Sequence, residues 1–334
     1  MAKISYHDDS APGITRKKMR HGWGYFDASG ARITERDEID RLNAIGLPPA
    51  YRDAWFCPKP NGHIQAVGWD EKGRKQYRYH TGFRETQEAA KYEGCAAFGQ
   101  SLPKLRACVA ADLALPGVSR EKAVAAVVRL LDLGHIRVGN EGYAKANNSF
   151  GATTLRNRHV KVAGNALKLK FRAKSGKERV MTITDKTLSR FVKKCQDLPG
   201  QHLFQWLDAE GEPHPVSSSD VNEYIRAASG GDFTAKHFRT WAASVLAFET
   251  LATARADIGL KTLLLPVSEA LGNTPAIARK SYVHPALLAL VKTGQAEFRA
   301  RLRLPRRTLY LSRAERGLIA FLQPGAPAAV QRAA

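Results

Sequence analysis

Several signatures are missing from this 334-residue chain, and each absence removes a class of function. No apolar run approaches the roughly 20 residues that a transmembrane helix needs. The N-terminal MAKISYHDDSAPG also lacks the apolar stretch of a signal peptide. A cytoplasmic protein with no membrane partner is therefore expected. Cysteine is scarce: Cys57, Cys95, Cys108 and Cys195 are widely spaced with no CxxC, which suits neither a disulfide framework nor a zinc site. The ten histidines form no HxxxH-like pair, and no acidic cluster suited to a magnesium pair stands out, so no metal is expected. No GxxxxGK[ST] loop is present to cradle a nucleotide, and no cofactor is expected.

Acidic residues are outnumbered as well, 31 against 52 lysines and arginines, for a formal net charge of +21. The basic residues are spread through every segment. With 44% hydrophobic residues the chain is globular, so this charge belongs to a folded surface and points to a polyanion, nucleic acid before membrane.

From about Trp23 to His80 the pattern is one of short strands and turns: GWGYFDASGARIT, AWFCPKP, NGHIQAVGW and GRKQYRYH, with breaks at Asn61-Gly62 and Asp70 to Gly73. A small antiparallel sheet is expected. From Thr86 the chain becomes helical, with TQEAAKYEGCAAFGQ as one helix and a second starting near Pro103. In SREKAVAAVVRLLDLGH, Ser119 is the expected N-cap, Val124, Val127, Val128 and Leu131 form one face, and Gly134 ends the run. Leu167, Leu169 and Phe171, then Met181 and Ile183, alternate as a β-hairpin around Lys174–Lys177. Further helices are expected at 186–196, 218–228 and 235–257, followed by LGNTPAIARKSYVHP and PALLALVKTGQAEFRARL. The last residues, QPGAPAAVQRAA, have the composition of a disordered tail.

The expected architecture is thus α+β: a strand-rich N-terminal domain at 1–84, a larger, mainly helical domain with a β-hairpin at 85–322, and a tail at 323–334.

Four side chains invite attention. Tyr282 follows an Arg-Lys pair in a short helix opened by Thr274 and Pro275; such a tyrosine is most often packing. Arg137, in GHIRVGN, and Arg239, in AKHFRTWAAS, are charges set among apolar neighbours. Either could be a structural ion pair, or the two could hold one phosphate bidentately. Lys174, in the hairpin turn, is by default a solvated charge.

The stretches LPPAYRDAWFCPKPNGHIQAVGWDEKGRKQYRYH, LLDLGHIRVGNEGYAKANNSFGATTLRNRHV, LKLKFRAKSGKERV, KHFRTWAAS and LGNTPAIARKSYVHP, in this order, resemble the type IB DNA topoisomerases of the bacterial and poxvirus-like branch. The resemblance implies a catalytic domain of the tyrosine recombinase/topoisomerase IB type and double-stranded DNA as partner, with a monomer clamping the duplex. It implies relaxation of supercoils of either sign without ATP or metal. Tyr282 matches the nucleophile that becomes joined to a 3′ phosphate. Arg137 and Arg239 match the arginines on the nonbridging oxygens. Lys174 matches the general acid for the departing 5′ oxygen, and Lys236 a second lysine near the site. Asn273 stands where many relatives have histidine; its amide can donate a hydrogen bond to phosphate but carries no charge. Gln76, Tyr77, Tyr79 and Tyr143 match DNA-contacting positions.

Two rivals differ in testable ways. A tyrosine recombinase typically carries HxxR at the second arginine, whereas Lys236 lies three residues before Arg239 and His237 is off by one. Recombinases also usually open with a helical domain. A non-catalytic DNA-binding protein would have no reason to retain Arg137, Lys174, Arg239 and Tyr282 together.

Overall fold

The computed structural model describes residues 3–323, so the greater part of the tail expected at 323–334 lies outside the described residues. The chain divides into two compact units, Met1–Tyr92 and Glu93–Ala334. Each is built around its own apolar cluster, and the protein is of the α+β class.

The first unit contains β1 (Ile14–Met19), β2 (Gly22–Phe26), α1 (Arg36–Ala44), β3 (Arg52–Phe56), β4 (Ile64–Trp69) and β5 (Lys75–Tyr79). The strands form one antiparallel sheet in the order β2-β1-β3-β4-β5. Strand β1 was not expected, because ITRKKM shows no apolar alternation: only Ile14 is buried. Main-chain pairing to β2 and β3 holds it instead, together with Arg16, which stacks over Trp23 at 4.5 Å and donates to Leu47 O and Pro48 O at 2.8 Å. Helix α1 was also unexpected. It buries Leu42 in the sheet's core of Ile14, Tyr25, Ala54, Phe56 and Ala66, too few apolar positions to show a helical period.

Helix α2 (Thr81–Ala114) corrects a second expectation: it runs unbroken through Pro103 where a new helix was expected to start. Cys95, Phe98, Leu102, Leu105, Val109 and Leu113 recur every three or four residues on both sides of the proline and are all buried. Packing along that stripe outweighs the lost backbone bond, which costs about 3 kcal/mol. Helix α3 (Arg120–Gly134) starts as expected, Ser119 accepting from Lys122 N, but Gly134 is its last helical residue. The left-handed turn is made by His135, at φ 52°.

Helix α4 (Glu141–Asn147) leads to β6 (Val160–Ala163), β7 (Ala166–Arg172) and β8 (Glu178–Thr184). The expected hairpin is therefore part of a three-stranded sheet, β6 pairing with β7 from Val160↔Leu169 to Ala163↔Ala166. Leu167, Leu169, Phe171 and Ile183 face the core, as their alternation requires. Then follow α5 (Lys186–Gln196), the short pair β9 (Gln205–Leu207) and β10 (Pro213–Pro215), α6 (Ser218–Ser229) and α7 (Ala235–Thr253). Helix α8 (Leu260–Leu271) was masked in the sequence by Pro266; Leu263, Leu264, Val267 and Leu271 bury one face of it. Helices α9 (Pro275–Ser281), α10 (Pro285–Lys292), α11 (Gln295–Arg301) and α12 (Arg313–Leu322) complete the unit.

Helix α7 is the element that positions the site, and two features fix it. Trp241 lies so close to α2 that a Cβ on Gly99 would sit 2.2 Å from its ring. The Trp241 indole donates to Glu315 on α12 at 3.2 Å, and Glu315 and Asp132 both pair with Arg106 at 2.8 Å. The segment after Arg303 thus has a role the sequence does not disclose: it delivers Glu315 to a buried charge network around α7. Burial raises the Glu315 carboxyl, but its bonds from Arg106 more than offset this and hold it below the usual carboxylate range.

His159 supplies a pH-dependent term. Its ring is buried and accepts from Arg156 N at 3.0 Å. Burial, aided by Arg158 and Arg156, pushes the imidazole down to about 4 from 6.5. The native state therefore favours the neutral ring. This stability is complete above pH 6.5 and is lost as pH falls toward 4, because the unfolded state binds the proton first. We expect the urea midpoint to fall between pH 7 and pH 4.5, and less so in His159→Asn; equal falls in both proteins would contradict this.

Candidate active site

The candidate residues of the second unit come together although they are far apart in sequence. Arg137 lies on the loop after α3, its main chain held by Ala152 N to Arg137 O at 2.8 Å and Thr153 N to Val138 O at 2.7 Å. This close approach requires glycine at 151, where a Cβ would lie 2.6 Å from Arg137 O. The Arg137 guanidinium donates to Asn273 Oδ1 at 3.2 Å.

Arg239 projects from α7 and is 4% exposed. Its Nη1 donates to His135 O and its Nη2 to Leu271 O at 3.2 Å, and its guanidinium carbon lies 4.8 Å from the centre of the Tyr282 ring. No carboxylate pairs with it among the described residues. Burial lowers its proton affinity, Tyr282 raises it and Arg137 lowers it; arginine remains charged at neutral pH through such a shift.

Tyr282 is the C-terminal cap of α9 rather than a residue within it. As expected, Thr274 opens that helix by accepting from Ile277 N, with Pro275 in its first turn. Ser244 of α7, fully buried, clasps the turn that follows: its hydroxyl donates to Tyr282 O at 3.4 Å and accepts from His284 N at 3.1 Å.

Lys174 begins the tight turn between β7 and β8, where Ser175 and Gly176 have φ of 66° and 73°. Phe150 N donates to Arg172 O at 2.7 Å, tying the end of β7 to the segment that also supports Arg137.

A cavity of about 360 Å³ is lined by Arg137, Tyr143, Lys174, Lys236, Arg239 and Tyr282, and none of its lining residues is acidic. A second, of about 250 Å³, shares Arg137, Lys174 and Arg239 and adds Asn273 and Arg179. The Asn273 amide nitrogen is buried beside it with no partner among the described residues, a donor available to an anion. Converging cations and an unsatisfied donor suit an anion, with Glu178 the one acidic residue lining the second cavity. Among the described residues no group of three or more His, Cys, Asp and Glu side chains could hold a metal.

Gln76, Tyr77 and Tyr79 lie on β5 of the first unit. Tyr77 and Tyr79 stack at 5.9 Å on one face, both well exposed, with Lys75 Nζ 5.4 Å from the Tyr77 ring. Gln76 points to the other face, where its amide donates to Asp70 at 3.1 Å.

Comparison with known proteins matches residues 80–279 to the catalytic core of eukaryotic DNA topoisomerase I and residues 22–70 to the N-terminal domain of bacterial DNA topoisomerase IB. The DNA topoisomerase 1B of Acanthamoeba polyphaga mimivirus is 32% identical over 302 residues, covering 86% of this chain and 89% of the viral one. The chain belongs to the type IB DNA topoisomerases. The vaccinia virus DNA topoisomerase 1B is a more distant relative of the enzyme, 21% identical over 68% of this chain and 72% of its own. Among solved structures, the XerH site-specific recombinase bound to its difH substrate matches 57% of this chain and 47% of its own at 15% identity; its TM-score of 0.36 carries no argument. Within the described residues no helix of the enzyme is long and apolar enough to cross a membrane.

Sequence reasoning missed Ser244 and Arg179. Ser244 sits in the apolar run WAASVL and acts only through main-chain groups, so no motif marks it. Removing its hydroxyl takes away an acceptor of the His284 N–H and a donor to Tyr282 O. Ser244→Ala is expected to lose about 1–3 kcal/mol in urea denaturation; an unchanged midpoint would show that the clasp contributes nothing.

Proposed function

We propose that this enzyme relaxes positively and negatively supercoiled double-stranded DNA by transient cleavage of one strand through Tyr282. The observation that carries the proposal is the shared cavity of Arg137, Lys174, Arg239 and Tyr282, with the Arg239 guanidinium 4.8 Å from the Tyr282 ring centre.

The chemistry follows from what each group can do. A phenol of ordinary pKa about 10 is only about 0.1% ionised at neutral pH, so it needs cations beside it to attack. Tyr282 Oη forms a bond to a backbone phosphorus, its proton passes to solvent, and the bond from phosphorus to the 5′ oxygen breaks. Lys174 gives its proton to that departing oxygen, a step arginine is too weak an acid to perform. Arg137 and Arg239 bind the nonbridging oxygens, whose charge grows in the transition state, and Asn273 adds a neutral donor. Lys236, at the rim of the same cavity, is a second lysine for that step. The phosphotyrosyl bond keeps the energy of the broken ester, so the reverse attack by the 5′ hydroxyl reseals the strand without ATP or metal.

DNA contacts are assigned to Gln76, Tyr77 and Tyr79 in an N-terminal DNA-binding domain at 1–84, and to Tyr143 in the catalytic domain at 85–322. The exposed, stacked pair of Tyr77 and Tyr79 suits groove contacts. The enzyme acts as a monomer that clamps the duplex, in the cytoplasm at the nucleoid, while the cut strand turns about its intact partner.

Relaxation of negatively and positively supercoiled plasmid in EDTA without ATP tests this. The wild type should relax both and Tyr282→Phe neither. Relaxation by Tyr282→Phe, or a requirement for magnesium, would overturn the proposal.

A further inference from the structure

Arg179 lies near the start of β8, opposite Phe171 of β7. Its half-buried guanidinium spans the end of α8: Nη1 donates to Glu269 O at 2.7 Å and Nη2 to Ala270 O. It is close enough to Gly272 that a Cβ there would lie 3.1 Å from Arg179 Nη1. No carboxylate pairs with Arg179 among the described residues, and burial lowers its proton affinity.

Capping accounts for only part of this. Helix α8 ends at Gly272, left-handed at φ 64°, whose N–H bonds to Ser268 O and Glu269 O, and Asn273 N bonds to Ser268 O at 3.1 Å, so the self-made closure leaves Ala270 O to Arg179 while Glu269 O already has a partner. What the arginine adds is a tether between β8 and the residues just before Asn273. The other strand of the hairpin has its own tether, Phe150 N to Arg172 O. Lys174 lies in the turn between these two anchor points, exposed and with no side-chain bond among the described residues, so the hairpin main chain sets its position. Arg179, Lys174, Asn273 and Arg239 line the same cavity.

We propose that Arg179 is a positioning residue for proton transfer to the leaving group, holding the hairpin to the carbonyl end of α8 so that Lys174 faces the phosphate bound by Asn273 and Arg239. The proposal rests on the assignment of Lys174 as the proton donor.

The test is single-turnover cleavage of two duplexes that differ in the bridging atom of the scissile bond, oxygen or sulfur. A thiolate leaves without being protonated, so a defect confined to proton delivery is relieved by sulfur. Arg179→Ala should cleave the oxygen substrate up to about 100-fold more slowly, the order of loss that a misplacement of about 1 Å in a catalytic group can cause. On the sulfur substrate most of that loss should disappear, as for Lys174→Ala. Arg179→Lys keeps the charge but lacks the two-pronged donor, so it should show the same oxygen-selective defect; it also replaces the alanine variant if the latter melts early. Equal slowing on both substrates would overturn the proposal, as would full activity of Arg179→Lys, which would reduce Arg179 to a source of charge. If Lys174→Ala itself gains nothing from sulfur, the assignment of Lys174 fails and the inference falls with it, while loss of all cleavage in Tyr282→Phe alone would still leave the nucleophile in place.

Discussion

The Arg239 guanidinium is held in the interior by two main-chain carbonyls, His135 O and Leu271 O, and by the face of the Tyr282 ring, with no carboxylate among the described residues to balance its charge. Such an arrangement is costly in an unliganded protein, because carbonyl dipoles return only part of the hydration that burial removes. An anion bound beside it would offset that cost, which is the role proposed for the DNA phosphate. The same three contacts also organise the site: His135 precedes the Arg137 loop, Leu271 precedes Asn273, and Tyr282 follows α9. One side chain thereby fixes the relative positions of the segments that carry the other candidate groups.

That role demands a rigid α7. Within a few residues the helix presents Arg239 to the site, Trp241 to the network of Glu315, Arg106 and Asp132, and Ser244 to the turn after Tyr282. Burial on this scale leaves little freedom for rotamer changes, and donors fixed in advance are what electrostatic catalysis of the proposed kind requires. Lys174 is the contrast: it stands on an exposed turn and depends on anchors along the two strands below it.

The sequence discloses the charged residues of the site better than the structure that holds them. Arg137, Lys174, Arg239 and Tyr282 stand out once their surrounding stretches are seen to resemble a family, since each alone has a plain structural explanation. Ser244 and Arg179 work on main-chain carbonyls and amides, and such contacts leave no residue pattern. The fold divides along a similar line. Helix α3 and the β7–β8 hairpin follow from apolar periodicity, because their burial pattern is local. Strand β1 is hidden by its lysines and arginines, and α8 and the continuity of α2 by prolines whose effect tertiary packing overrides.

The central claim is that Tyr282 is the residue joined to DNA, and its most direct test is to trap the cleaved complex on a nicked duplex, digest it and locate the attached nucleotide by mass spectrometry. The account predicts a 3′ phosphate on the peptide carrying Tyr282, and a free 5′ hydroxyl on the released strand. Attachment at another residue, or through a 5′ phosphate, would contradict it.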